Sequence, residues 1–540
     1  MEGAKGMELN EKALANRAAW QQAGIELPEF DRAGIAARTA KNPGWLHFGP
    51  GNIFRAFIAS LQQSLLNEGL CDFGIIAAAP NDRDIIDKVY APHDNLSLLV
   101  TMLPDQSIRQ KVIGSVTEGL AAVPGTADWR RLQEIAAADS LQLVSFTITE
   151  KGYKTRDKDG AWLPAVAADA AAGWVKPQSF PGKLTSLLYT RFLAGARPVT
   201  LMSLDNCSKN GLVLRSMVLD VADAWQEKGF VNAGFADYVR EKLAYPCSMI
   251  DKITPRPADH VQQALREEGL TDMALVKSAR GGWYAPFVNA EKTEYLVVED
   301  VFANGRPPLE KAGVIFTDAQ TVDRVEHMKV CTCLNPLHTA LAIFGCLLGY
   351  TSIAGEMQDV QLKKLVERIG YDEGMKVVTD PGVLEPKAFI DECIQVRFPN
   401  PAIPDTPQRI ACDTSQKLGV RFGETIKAYS QNAGLDAKSL IYIPLAIAGW
   451  CRYLMGLDDA GKTFELSPDP LLAEVQPCVA GIELGRPDTA AGRLRPILSN
   501  AKIFGSDLYA VGLGEKIENY FAELIAGPGA VRAVLTKYLD

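Results

Sequence analysis

The stretch GWLHFGPGNIFRAFIASLQQSLLNEGLCDFGIIAAAPNDRD, residues 44–84, constrains the fold more than any other part of the chain. It reads as strand, tight turn, helix, turn, strand. A short strand is expected around Trp45–Phe48. Gly49 and Gly51 flank Pro50, so the backbone there can turn sharply and present bare N–H groups. Ile53, Phe54, Phe57, Ile58, Leu61, Leu65 and Leu66 then recur at helical spacing, and Gly69 sits where a helix stop belongs. Phe73–Ala79 is a compact apolar run, suited to a parallel strand buried on both faces. That order is a βαβ unit, with a turn that would set a pyrophosphate at a helix N-terminus. Asp82, just past the second strand, is placed to accept hydrogen bonds from an adenosine ribose, with Asn81 and Asp84 as rivals. Phe54 stands where the usual fingerprint has its third glycine, so the turn alone is also compatible with an ordinary glycine loop.

Two further strand-like runs, LQLVSFTITE (141–150) and RPVTLMSLDN (197–206), each end in a polar residue. Open α/β sheets place ligands at the carboxyl ends of their strands, which draws attention to Glu150 and Asn206. TEYLVVEDVF (293–302) is another strand, followed by the linker-like ANGRPP. From Leu309 onward the pattern is mostly helical. The expected architecture is α/β, a Rossmann-like dinucleotide-binding domain over residues 1–307 followed by a mainly α-helical domain over 308–540, with a substrate cleft between them.

With 540 residues, 47% of them apolar, the chain can build two sizeable cores. A formal charge of −9 argues against nucleic acid or an anionic membrane as partner. The N-terminus lacks the basic start and apolar core of a signal peptide, and no apolar run of about 18 or more residues suggests a membrane span. Ten cysteines without a CxxC pair read as reduced thiols in a cytoplasm. The five histidines, at 47, 93, 260, 327 and 338, form no HExxH pattern, and Cys331 and Cys333 read as small buried residues, so no metal is expected.

KVCTCLNPLHTAL (329–341) sets three polar groups in an oily context. Asn335 and His338 are one helical turn apart, and Pro336 suits a first helical position, so Asn335 is expected to cap a helix with Lys329 on the segment before it. Spacing alone equally allows an N-cap asparagine, a core histidine and a surface lysine. Asn210-Gly211 reads as a turn only.

MKVCTCLNPLHTALAIFG resembles the signature of the polyol-specific long-chain dehydrogenases, the mannitol dehydrogenase family, which takes in mannitol 2-dehydrogenase, fructuronate reductase and tagaturonate reductase. HFGPGNIFRAF, FTITEKGY, MSLDNCSKNG, YPCSMIDKITP, VVEDVFANGRPPLEKAGVIFTD, RFPNPAIPDTPQRIACDTSQKL and AIAGWCRYLMGLDD are similar to family blocks in the same order. One residue more separates Lys329 from Asn335 than in the family pattern, which in a regular helix would turn the lysine away by about 100° unless a π-bulge or the break before Pro336 absorbs it.

The resemblance implies metal-independent hydride transfer between NAD(H), rather than NADP(H), and a secondary alcohol. In that reading Lys329 is the acid/base, Asn335 and Asn206 donate to the reacting oxygen, His338 orients the substrate and Glu150 relays protons. It also implies cofactor contacts from Gly49, Gly51, Asn52, Ile53, Arg55, Asn81 and Asp82, and substrate contacts from Asp251, Arg409 and Lys417. Eight residues apart, Arg409 and Lys417 would lie near one face if their segment is helical. The expected substrate is a keto sugar acid, D-fructuronate reduced to D-mannonate, with mannitol, another polyol or tagaturonate as alternatives. A non-catalytic nucleotide- or sugar-binding protein is the alternative of a different class.

Overall fold

The computed structural model describes residues 6–540. The chain divides into two compact units, one running to Asp323 apart from the hairpin tip 104–106, the other from Arg324 onward. Sequence pattern had pointed to 307/308 instead. The segment after the proline pair stays with the first unit because the strand Ile315–Thr317 pairs in parallel with Tyr295–Glu299.

The first unit is built on five strands, β1 (Trp45–Phe48), β2 (Ile75–Ala79), β3 (Val116–Ala121), β4 (Leu143–Phe146) and β5 (Thr200–Ser203), in the order β3-β2-β1-β4-β5. All four pairings are parallel. This is the doubly wound order, with the strand sequence reversing between β1 and β4. Side chains alternate across it. Leu46, Phe48, Ile76, Val144, Phe146 and Leu201 face one core, while Trp45, Ile75, Ala77, Leu143 and Met202 face the other with Phe54, Phe57, Ile58 and Leu61. Both faces are covered, which is why β2 has no polar residue.

The helix after β1 begins with a widened turn, Phe54–Ile58, and continues as Ala59–Asn67. It ends as the sequence suggests: Gly69 takes φ +68°, its N–H bonds the Leu66 carbonyl, and Leu70 N–H reaches back to Leu65. The run 293–302 is a strand only over Tyr295–Glu299, and it lies in a separate three-stranded sheet, antiparallel to Ser248–Asp251. A four-stranded sheet joins Ile25–Glu26, Ile108–Ile113, Ser97–Met102 and Phe287–Glu291.

Asn210-Gly211 is not a turn. Asn210 opens the helix Asn210–Glu227 and is fully buried. Its amide nitrogen lies within hydrogen-bond distance of Asp205 O (3.0 Å), Ser248 O (3.1 Å) and Ser248 Oγ (3.0 Å), and its oxygen accepts from Ser248 N–H (2.9 Å). Gly211 is required beside it, since a Cβ there would come within 2.4 Å of the Tyr245 carbonyl. The residue therefore ties the end of β5 to the strand Ser248–Asp251.

The second unit is helical. Asn335–Leu347 and Tyr442–Tyr453 are its buried centre and pack on each other. Among the described residues one helical run, Ala319–Leu347, is long and apolar enough to cross a membrane, and 83% of its apolar window is buried inside the protein, as in a core helix.

Replacing Asn210 by Ala removes the acceptor of the Ser248 N–H and the amide donor shared by the Ser203, Asp205 and Ser248 carbonyls in a buried junction. We expect Asn210→Ala to lower unfolding stability by about 3 kcal/mol in urea titration, with an unchanged m-value.

Candidate active site

In the first unit the glycine turn is held from beneath. His47, the third residue of β1, is fully buried, with Nδ1 2.7 Å from Ser145 Oγ and Nε2 3.0 Å from Thr147 Oγ1. Thr147 Oγ1 donates to the Gly49 carbonyl at 2.7 Å. Gly49 has φ +100°, and a Cβ there would sit 2.0 Å from the Thr147 carbonyl, so no other residue fits. Phe54, in the place of the third glycine, stacks on His47 with ring centroids 4.0 Å apart. Aromatic packing replaces the close approach that a glycine would otherwise allow.

The turn suits a dinucleotide. A side chain at Gly51 would meet no protein atom within 4 Å, so the turn opens onto free space. The first helical hydrogen bond is Arg55 N–H to Gly51 O (3.1 Å), which leaves the N–H groups of Asn52 and Ile53 as helix-start donors. Arg55 itself is redirected. Its guanidinium is fully buried and donates to Ala285 O (2.6 Å) and Asn52 Oδ1 (3.1 Å), while the Asn52 amide donates to Pro255 O (3.2 Å). These side chains anchor neighbouring loops, and the Arg55 side chain is removed from the expected cofactor contacts. Past β2, Asn81 is exposed, Asp82 accepts from Tyr284 Oη (2.9 Å), and its rival Asp84 accepts from Ala279 N–H (2.8 Å).

Glu150 and Asn206 lie beyond the strands rather than at their ends, because β4 stops at Phe146 and β5 at Ser203. Both line one cavity of about 420 Å³ with Tyr153, Lys154, Cys207, Ser208 and Val213. The cavity wall is shaped by Asp205, which the sequence reading passed over in favour of its neighbour. Asp205 accepts from Ile148 N–H (2.9 Å), Thr149 N–H (3.0 Å) and Tyr153 Oη (2.6 Å). Burial raises the Asp205 carboxyl, and burial beside that carboxylate pushes the Tyr153 phenol far up. Thr149 is held at φ +66° between them. Asp251 is buried at the end of its strand, opposite Tyr295.

In the second unit the extra residue after Lys329 has a visible place. Lys329–Cys333 forms a π turn, closed by Leu334 N–H to Lys329 O at 3.1 Å. Leu334 then leaves helical geometry (φ −126°, ψ −61°) before Asn335–Leu347 begins. The cap position is thus Leu334 and not Asn335. Asn335 is half-buried, and its side-chain oxygen makes no hydrogen bond among the described residues.

Lys329 is buried, at 8% exposure. His338 Nε2 lies 3.0 Å from Asp405 Oδ2 at ion-pair distance, off the line of a hydrogen bond. Burial lowers the imidazole pKa, Asp405 opposes this, and Arg421 and Arg409 lower it further, so His338 is neutral at neutral pH. Arg409 and Lys417 do not share a helix. They lie in Pro407–Ile410 and Thr414–Leu418, divided by Asp413 at φ +54°. Arg409 pairs with Asp405, and Lys417 donates to the Cys412 carbonyl. Arg421, not singled out by the sequence, bonds Thr339 beside His338. All ten cysteines are free, and no group of three or more His, Cys, Asp or Glu among the described residues is placed to hold a metal ion.

The Mannitol dehydrogenase Rossmann domain matches residues 43–311 and the Mannitol dehydrogenase C-terminal domain matches 321–525. The chain belongs to the mannitol dehydrogenase family. It is 51% identical over 533 residues to a D-mannonate oxidoreductase of Thermotoga maritima, covering 98% of this chain and 99% of that protein. A mannitol 2-dehydrogenase of Phaeosphaeria nodorum is 31% identical, over 87% of this chain and 77% of that one. The Pseudomonas fluorescens mannitol 2-dehydrogenase, solved as a ternary complex with NAD and D-mannitol, superposes with a TM-score of 0.72 at 26% identity, over 99% of each chain.

Burial lowers the His47 pKa from 6.5 to about 3. Between those values the unfolded chain binds a proton that the folded protein refuses, so stability falls as pH falls through that window. We expect wild-type stability below pH 6 to fall more steeply than that of His47→Gln, by up to about 1.4 kcal/mol per pH unit, in denaturant titrations at stepped pH.

Proposed function

We propose that this chain is an NAD(H)-dependent oxidoreductase that interconverts D-fructuronate and D-mannonate, a keto sugar acid and its secondary alcohol. The observation that carries this reading is the 51% identity to a D-mannonate oxidoreductase over 98% of the chain, against 31% for a mannitol 2-dehydrogenase over 87%. The nicotinamide, when bound, supplies or accepts the hydride. Gly49, Gly51 and the helix-start amides of Asn52 and Ile53 would hold its pyrophosphate, and Asp82, with Asn81 beside it, the adenosine ribose. A carboxylate at that position repels a 2′-phosphate, which supports NAD over NADP.

Lys329 gives the proton to the carbonyl oxygen on reduction and removes it on oxidation. Asn335 and Asn206 donate to that oxygen as charge develops on it. The unpaired oxygen of the Asn335 amide leaves an acceptor for a substrate hydroxyl, which would otherwise cost about 1–3 kcal/mol of unmet hydrogen bonding. His338, neutral and set by Asp405, orients the substrate. Glu150 exchanges protons with solvent, as its 67% exposure suits, and Asp251 contacts the substrate. We place the protein in the cytoplasm, acting on a small molecule and not on nucleic acid or a membrane. A polyol dehydrogenase is the second reading, favoured by the likeness to the mannitol 2-dehydrogenase structure.

The test is NADH absorbance with D-fructuronate and D-fructose offered in parallel. We expect D-fructuronate to be the better substrate, and Lys329→Ala to lower kcat by about 10²–10⁴-fold without loss of fold by circular dichroism. Preference for D-fructose would move the assignment to the polyol enzymes, and an active Lys329→Ala variant would remove the lysine from the chemistry.

A further inference from the structure

A sugar acid differs from a polyol by one carboxylate, and the second unit sets Arg409 and Arg421 near His338, with Lys417 close to Arg421, as cations that could meet it. They are not equivalent. Arg409 is already engaged: Nε and Nη2 both donate to Asp405 Oδ1, at 3.0 and 2.5 Å, and its side chain is 63% exposed. Lys417 gives a hydrogen bond to the Cys412 carbonyl and has no carboxylate within ion-pair reach among the described residues. Arg421 donates through Nη1 to Thr339 Oγ1 and likewise has no ion-pair partner there. Its surroundings are dry enough to push the guanidinium down to about 10.

The ion pairing is therefore uneven, with Arg421 the least compensated of the three. Among the described residues Asp405 is the carboxylate at ion-pair distance in this group, and it is shared between His338 and Arg409; Asp413 and Asp469 act on Lys417 from farther off, and no carboxylate offsets the burial of Arg421. Lys417 and Arg421 remain close enough that each is felt by its neighbours: Arg421 lowers both Lys417 and His338. Bringing unpaired cations together in a poorly hydrated place is unfavourable unless an anion enters. A guanidinium with one of its five N–H groups fixed on Thr339 keeps a fork of donors matched to a carboxylate. Thr339 lies on the helix that carries His338, and the Arg421 charge is felt at the His338 imidazole, so that fork is held near the residue assigned to orient the substrate.

We propose that Arg421, with Lys417 beside it, binds the carboxylate of the sugar-acid substrate, and that Arg409 instead sets Asp405 and His338. This rests on the reading of the reaction given above and adds to it the residue that selects for an acid. A purely structural Arg421 would affect charged and uncharged substrates alike, whereas a carboxylate ligand acts on one of them.

The experiment uses the full-length protein with NADH, comparing wild type, Arg421→Gln and Arg421→Lys on D-fructuronate and on D-fructose. Loss of a charge-assisted contact predicts a KM for D-fructuronate raised about 30-fold in Arg421→Gln, a KM for D-fructose within about threefold of wild type, and partial recovery in Arg421→Lys. In parallel, D-mannonate but not D-mannitol should raise the Tm of the wild type, and that rise should vanish in Arg421→Gln. An unchanged KM for D-fructuronate, or equal rises for both ketoses, would overturn the proposal. If the wild type reduces D-fructose and not D-fructuronate, the reaction assigned above falls. The Tm comparison then decides Arg421 separately, since stabilisation by D-mannonate that depends on Arg421 supports an anion site and its absence removes it.

Discussion

Everything proposed for the cofactor depends on the contact between Gly49 and the Thr147 carbonyl, where the ends of β1 and β4 converge. A Cβ at residue 49 would lie 2.0 Å from that oxygen, so the chain can turn there only as glycine. The turn is then locked from below by Thr147 Oγ1 on Gly49 O and by His47, which bridges Ser145 and Thr147. Trp45 Nε1 also donates to Ser145 Oγ, so β1 and β4 are joined by side chains as well as by their ladder. A neutral, fully buried imidazole that contacts two hydroxyls and stacks on Phe54 is a stiff strut. The result is a helix start whose free N–H groups are fixed before any ligand arrives, which is how preorganised electrostatics differ from loops that must be ordered on binding.

The second unit solves a different problem, one of register. An added residue in an α-helix displaces everything before it by about 100°. Here Leu334 N–H skips one carbonyl and bonds Lys329 O, so the surplus residue is taken up in a single wide turn, and Leu334 breaks the helix before Pro336 can clash with it. Wide turns are costly in hydrogen-bond geometry and persist where neighbouring packing holds them. Cys331, Thr332 and Cys333 are all buried here, so the two cysteines fill the packed side of the wide turn.

The sequence disclosed what depends on local pattern. The βαβ unit, its glycine stop and the change from strands to helices were legible because period, breaker residues and burial on both faces leave a mark in consecutive letters. Long-range constraints left no such mark. Asn210 read as a turn because Asn-Gly is a turn dipeptide, yet its partners are Ser203, Asp205 and Ser248, the last of them 38 positions away. Arg55 read as a cofactor contact from its place in a motif, and only the fold shows that Ala285, 230 positions on, receives it. Asp205 was masked by Asn206, since a residue that shapes a loop and a residue that faces a cavity look alike in a row of letters. Arg409 and Lys417 followed from the family pattern, but the left-handed Asp413 between them separates their helices, and Arg421 lies just past the end of the block that carries the resemblance there.

Arg421 and Glu356 together show how the second unit distributes its charge. Glu356 is fully buried, neither of its oxygens has a hydrogen-bond partner among the described residues, and burial with Asp405 and Asp359 nearby raises it to about 9. It is therefore protonated at neutral pH and adds no negative charge. Were Glu356 ionised, it would offset part of the cationic field of Arg409, Lys417 and Arg421 from within the protein. With it neutral, Asp405 is held to His338 and Arg409 by contacts of 3.0 and 2.5 Å, and Asp413 and Asp469 act on Lys417 from farther off. Uncompensated positive charge is thus left chiefly on Arg421, which has no ion-pair partner among the described residues and no carboxylate to offset its burial. Strain of this kind lowers the stability of the free protein, and it persists in a fold when an incoming anion relieves it.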